Sequence, residues 1–266
     1  MVSRLWWTAP LVAAALHASI LPTLHLDGVT LKAFQDYIAE FERGEPAAFS
    51  SSGKLWIDDE TGSKRGAWQS GKPVVESREN ENVASGSIHH FSGSIRVNNA
   101  RIDQWRKVMQ DYPDYPKLFA PDVTGASATV EPDSSPTDHH FHSRLMLNQS
   151  TLWIAVAYDS LYDTHYRQID PKRWGSKSAS ISIRELRDPK NPAAGAYPEG
   201  DDHGFLWRTN TYWMARERDG GLDLQVDSIN LSRPIPTGAA WWGSRRTKEA
   251  VEKMLGDTKK AIESLH

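Results

Sequence analysis

Beyond residue 122 the chain offers one strand pattern after another, with no helical periodicity between them, and then closes on a single long amphipathic helix. The strand candidates are 122–131, 139–147, 152–167, 174–187, 204–217 and 222–232, separated by clusters of Pro, Asp, Ser and Asn. Ahead of them stand a strand over Ser87–Val97, a helical stripe of Ile102, Trp105, Val108, Met109 and Tyr112 that Pro113 ends, and a helical turn over Tyr115–Phe119. In the terminal helix, Thr247–Leu265, the residues Ala250, Val251, Met254, Leu255, Ala261, Ile262 and Leu265 form a stripe that must be buried. Strand, helices, six strands and helix in that order predict an α+β fold: a seven-stranded antiparallel sheet with its helices gathered on one face. If the sheet curls around the last helix, apolar space remains between them.

Two strands can be paired from the sequence. Gly204–Glu217 and Leu222–Ser232 flank Arg218-Asp219-Gly220-Gly221, a hairpin signal because Asp-Gly tolerates the positive φ of a tight turn. A two-residue turn sets Leu224 and Val226 on the face of Ala215 and Trp213, with Asp223 opposite Arg216; a three-residue turn brings Tyr212 and Met214 inward instead. Matching charges favour the first. In the longest strand Leu152, Ile154, Val156, Tyr158, Tyr162 and Tyr166 share one face, and Asp159, Asp163, His165 and Arg167 share the other.

The N-terminal part is different in character. Arg4 precedes an apolar stretch from Leu5 to Leu16, followed by Ala18 and Ser19, so residues 1–24 read as a secretory signal peptide and the chain as exported, periplasmic or extracellular. A membrane anchor reaching Leu24 and a tail docked on the core are the alternatives; Pro10, His17 and Pro22 weaken the anchor. Thr30 caps a helix with the stripe Leu31, Phe34, Tyr37, Ile38 and Phe41, ending near Gly44. From Glu45 to Val83 the chain is rich in Ser, Gly and charge, an irregular connection with at most a short strand or hairpin. The expected organisation is therefore a leader over 1–24, a helix and extension over 25–84, and a main domain over 85–266. With 31 basic and 34 acidic residues and no long run of either, no nucleic-acid footprint exists. No cysteine is present, which removes disulfides, thiolate metal sites and cysteine nucleophiles.

This order, together with Trp105–Phe119 (WRKVMQDYPDYPKLF), resembles the START-like superfamily, which includes polyketide cyclases, coenzyme Q-binding proteins and lipid carriers. Asp111, Tyr112, Tyr115 and Pro116 match its helix-to-strand segment, and His203–Trp213 and Ile229–Gly238 resemble bacterial members that carry a leader and an N-terminal extension. The resemblance covers roughly residues 85–265. It implies a helix-grip fold, in which the sheet curls around the long C-terminal helix and encloses a ligand cavity. The Ala-Ala-Trp-Trp-Gly segment after Pro236 and the pair Arg245-Arg246 depart from it.

Cavity candidates are Tyr158, Tyr162, Trp207, Trp213 and Met254, with Arg208 as a donor on a central strand and Tyr212 on its neighbouring position. For any one of them core packing is the preferred role, and for the set the resemblance implies a cavity. Asp201-Asp202-His203 offers an acid–base group at a rim, weighed against a polar loop after Pro198. His140 and His142 point the same way in a strand and would need a third metal ligand, Asp138 or a residue from a neighbouring strand. Lacking a complete set, exposed histidines are the preferred reading, and neither a metal nor a cofactor is expected. Gly66–Lys72 followed by Pro73 fails as a phosphate loop, Ser51-Ser52-Gly53-Lys54 lacks its companion hydrolase motifs, and no Gly-x-Ser-x-Gly occurs. The expected function is non-catalytic binding or carriage of a hydrophobic small molecule, lipid or quinone-like, with possible peripheral membrane contact and no catalytic residue assigned. A cyclase or dehydratase using the same cavity is the alternative, and an interaction module docking through 45–83 is a third.

Overall fold

In the computed structural model residues 16–17, 22–150, 154–234 and 240–265 are described. The leader expected over 1–24 lies, apart from Leu16–His17 and residues 22–24, outside them, as does Leu152. The elements in chain order are β1 (Leu16–His17), β2 (Leu24–His25), α1 (Gly28–Arg43), α2 (Gly62–Gln69), β3 (Val74–Val83), β4 (Gly86–Asn98), α3 (Ile102–Gln110), α4 (Tyr115–Leu118), β5 (Val123–Val130), β6 (Asp138–Ser150), β7 (Ile154–Asp170), β8 (Arg173–Glu185), β9 (Asp201–Asp202), β10 (Arg208–Arg218), β11 (Gly221–Ser232) and α5 (Ala240–Glu263).

The large sheet runs β3-β4-β11-β10-β8-β7-β6-β5, and β1 adds a short parallel pairing to β7. The seven expected strands are present, and two more join them, making nine. The short strand allowed for within 45–83 is β3, longer than expected because an edge strand needs no apolar alternation: between Val75 and Val83 its residues are Glu, Ser, Arg and Asn. Strands β10 and β11 meet in a two-residue turn, with Asp219 at φ 52° and Gly220 at φ 69°, which pairs Arg216 with Asp223, Ala215 with Leu224 and Trp213 with Val226. The charge-matched register is the one adopted.

Both faces of the sheet are covered. On the inner face Phe91, Ile95, Trp213, Leu224 and Val226 pack under Val251, Leu255 and Ile262 of α5 and under Trp105 and Val108 of α3. On the outer face Tyr212, Ile229 and Leu231 pack under Phe34 of α1, while Met214 meets Leu55, Ile57 and Trp68. The helices of the main domain, α3 and α5, gather on one face as expected, and α1 and α2 of the extension cover the other. The cap of α1 also differs: Asp27 Oδ1 accepts the Thr30 N–H at 2.7 Å, and Thr30 Oγ1 instead accepts the Ser85 N–H at 3.0 Å. The Asp27 carboxylate outcompetes the hydroxyl for the helix amide, freeing Thr30 to join the extension to β4. Helix α5 begins at Ala240, earlier than the expected Thr247.

Candidate functional site

Strand periodicity decides which side chains face α5. Along β7 the inner face carries Tyr158, Ser160, Tyr162, Thr164 and Tyr166, and through the β7–β8 and β8–β10 registers it continues to Ser176, Ser178, Thr211 and Trp213. Large side chains close both ends of this strip. At one end Trp105, Tyr166, Trp174 and Trp213 belong to the core under α3 and α5. At the other, Val156, Tyr158, Ile183 and Leu206 form a separate cluster with Leu147 and Phe205. Between them stand small hydroxyl residues: Thr164 Oγ1 lies 2.8 Å from Ser178 Oγ, and Ser178 and Thr211 remain only half-buried although they sit on the inner face of central strands. Small side chains at these positions leave the middle of the strip accessible, whereas its two ends are packed.

Polar atoms line this interior. The hydroxyls of Tyr158, Ser160 and Thr258, the last on α5, are enclosed without a hydrogen-bond partner. Burial pushes the Tyr162 phenol up to about 12, and burial, then the charges of Glu185 and Asp202, raise Tyr158 well above the ordinary tyrosine value. Both are neutral hydroxyls at physiological pH, able to donate or accept. Tyr166 is committed elsewhere: its hydroxyl donates to the Met109 carbonyl at 2.6 Å and lies 3.2 Å from Tyr112 Oη.

A second polar group lies at the Tyr158 end. His203 Nδ1 is 2.6 Å from Glu185 Oε1, and the His203 N–H donates to Glu185 Oε2 at 3.2 Å, both side chains being almost wholly buried. Asp202 Oδ1 accepts from Gly204 N–H at 2.7 Å and Trp207 Nε1 at 3.0 Å, while Oδ2 has no partner. Burial raises the pKa of Glu185, opposed by its contact with His203, and raises that of Asp202. The Asp202-His203 pair expected in a solvated loop is instead an interior feature.

Of the nominated residues, Tyr158, Tyr162, Trp213 and Met254 share the inner side. Trp207 and Tyr212 lie in the outer core, with Tyr212 Oη donating to Glu42 Oε1 at 2.6 Å. Arg208 also faces outward, its guanidinium 2.5 Å from Glu199 Oε1. Arg208 and Tyr212 do not converge with the other four because they alternate with Trp213 along β10, and Trp207 precedes that strand, where the alternation does not apply. The hydroxyl residues Ser160, Ser178 and Thr211, and Glu185, went unnominated; the period-two serines Ser176 and Ser178 were the readable signal.

The extension creates a further concavity on the outer face. A groove of about 480 Å³ lies between Tyr37 and Phe41 of α1 and Arg78, His90, Gln225 and Asp227 of the sheet. Tyr37 Oη is 2.9 Å from His90 Nδ1, Arg78 Nε donates to Ser92 Oγ at 2.9 Å, and Ser92 and Gln225 both donate to Asp227. His89 faces inward, its Nε2 3.0 Å from Ser232 Oγ, so the two adjacent histidines cannot act together.

Element order, sheet topology and the packing of α5 on the inner face define an α+β protein with a helix-grip fold. No family model and no curated protein matches the sequence. Among solved structures the chain is similar to a START superfamily protein from Mycobacterium smegmatis, at 13% identity and TM-score 0.46 over 66% of this chain and 99% of that one. It is similar also to a STAR-related lipid transfer protein from Xanthomonas axonopodis, at 17% identity and TM-score 0.41 over 70% and 96%. A third is the Zhui aromatase/cyclase from a Streptomyces species, at 13% identity and TM-score 0.36 over 66% and 94%. Likeness at this level leaves ligand and chemistry to be read from the residues of the chain itself.

Proposed function

We propose that the chain binds and carries a largely apolar small molecule, lipid or quinone-like, on the inner face of β7, β8 and β10. The observation that supports this reading is the strip of small, half-accessible hydroxyls between two aromatic plugs. Such a wall offers apolar burial with a few placed donors, the usual composition of a ligand pocket. Transfer of apolar ligand surface from water supplies the affinity at roughly 25 cal/mol per Å², and Tyr162 and Ser160 orient polar groups. We propose also that it acts after export, following the Arg4–Leu16 pattern; no helix among the described residues is long and apolar enough to cross a membrane.

The buried Glu185-His203 pair favours one second reading, a dehydratase or cyclase. Loss of water from a β-hydroxy ketone needs a base for the α-proton and an acid for the departing hydroxide, and a buried carboxyl beside an imidazole can serve both.

Native mass spectrometry of the chain isolated without denaturation tests these together, followed by titration with lipids and quinones. The expected result is a copurifying apolar molecule on a polypeptide shortened at its N-terminus. Ser178→Phe, which fills the strip, should weaken its binding at least about tenfold with an unchanged circular dichroism spectrum. Undiminished binding in Ser178→Phe would overturn the interior site. Binding retained in Glu185→Gln with no turnover in the wild type favours carriage, whereas turnover that Glu185→Gln abolishes favours the enzyme.

A further inference from the structure

Away from the interior, on the outward face of β6 and β7, four side chains meet. The antiparallel register sets His140 opposite His165 and His142 opposite Asp163, and period two sends all four to the same side. They occupy the corners of a square. Asp163 Oδ1 lies 3.4 Å from His140 Nε2 and 3.6 Å from His165 Nε2, and Asp163 Oδ2 lies 3.4 Å from His142 Nε2. The reactive atoms of His140, Asp163 and His165 all fall within 4.8 Å of one another.

The other ring nitrogen of each histidine is held by its own carboxylate. Asp133 Oδ1 is 2.6 Å from His140 Nδ1, Glu131 Oε1 is 3.0 Å from His142 Nδ1, and Asp138 Oδ1 is 3.2 Å from His165 Nδ1. A neutral imidazole that donates its Nδ1 proton to a carboxylate presents a bare lone pair at Nε2. The lone pairs of His140 and His165 and one Asp163 oxygen then face one another, three acceptors with no donor among them, and His142 presents its lone pair to the other Asp163 oxygen. His140 Nε2 is enclosed and has no hydrogen-bond partner. An arrangement of acceptors alone is stabilised by a cation at its centre. The carboxylates behind the rings are the outer partners that fix tautomer and orientation in histidine metal sites.

We propose that His140, His142, His165 and Asp163 bind one divalent transition-metal ion of the zinc class. A tetrahedral shell with bonds of about 2.0–2.1 Å separates its ligand atoms by about 3.3 Å, close to the separations from the Asp163 oxygens. Imidazole with carboxylate suits zinc and its neighbours rather than magnesium or calcium. Four protein ligands leave no open position, so the ion is structural: it clamps β6 to β7 on the side opposite the ligand strip. The sequence supplied His140 and His142; the missing ligands come from the neighbouring strand, where Asp163 and His165 repeat the same two-residue spacing.

The test uses the full chain stripped with a chelator and titrated with Zn²⁺ by calorimetry and with Co²⁺ by visible absorption. One Zn²⁺ per chain, a raised Tm, and the intense absorption bands of four-coordinate cobalt are expected. His140→Ala and His165→Ala should each abolish the bands, and Asp133→Asn, which removes only an outer partner, should weaken Zn²⁺ binding about tenfold to a hundredfold. Circular dichroism of each variant confirms folding, and none of these part-buried side chains belongs to a hydrophobic core cluster. Failure to take up stoichiometric Zn²⁺, weak six-coordinate cobalt bands, or undiminished binding in the His140→Ala/His165→Ala double variant would each sink the assignment.

Discussion

Asp58 shows how one side chain ties the extension to the sheet. It sits beside the Arg216 guanidinium at 2.8 and 3.0 Å and accepts the Leu55 N–H at 3.0 Å, while Arg216 also reaches the fully buried Asp223 at 2.9 Å. Burial would raise the Asp58 pKa, but hydrogen bonds from Arg216 and Leu55, with the charges of Arg216 and Arg218, bring it down to about 2. A carboxyl whose folded pKa is depressed stabilises the fold above the ordinary aspartate value and loses that contribution as pH falls through the folded one. Asp58→Asn should therefore cost about 1–3 kcal/mol at neutral pH. Between about pH 4 and pH 2 the gap between wild type and variant should close, as urea midpoints measured along that range would show; a gap that stays constant would contradict the ion-pair origin. The Arg216-Asp223 half of this cluster was legible, because it lies across a hairpin whose turn is written in the sequence. The Asp58 half was not, since nothing local links Asp58 to a strand 158 residues away.

Among the elements, α5 and α1 were both legible as amphipathic helices, yet only α5 could be placed. Its buried stripe of Val251, Leu255, Ala261 and Ile262 follows the expected period, whereas Ala250 and Leu265 turn out exposed at its margins. Helix α1 has an equally clear stripe but no sequence signal for which face of the sheet it covers. That choice follows from the outer face itself, where Ile88, Ile229 and Leu231 leave an apolar end beside the charged end of Asp223 and Asp227. Phe34 is the centre of this contact at 4% exposure. Its truncation in Phe34→Ala should cost about 3–5 kcal/mol and uncover apolar surface, read as a lower denaturant midpoint and increased binding of a hydrophobic dye. A midpoint unchanged within about 0.5 kcal/mol would mean that α1 only decorates the sheet.

For the whole molecule, the order of strands made the helix-grip plan legible, and strand alternation supplied half of the inner site. What stayed hidden was where the extension docks, because part of its seating is made of backbone and polar contacts between segments far apart in the chain. Arg173 donates to the Ser51 carbonyl at 3.1 Å, Arg216 to the Gly53 carbonyl at 2.8 Å, and the Trp56 N–H to Gln225 Oε1 at 2.9 Å. Gly175 is the tightest of these junctions: a Cβ there would collide with the Ala48 backbone carbonyl, so this position can carry no side chain while the extension is seated. If these contacts make residues 25–84 part of the cooperative unit, thermal unfolding of the full chain should proceed in one transition. Gly175→Ala then separates two possibilities. If the extension is integral, lifting it off should cost about 1–3 kcal/mol, lower the single Tm, and open the 45–60 region to limited proteolysis. Should the variant instead unfold at the wild-type temperature with only that region cleaved faster, the extension is an independent flap, and the outer groove beneath α1 is free to open without disturbing the inner face.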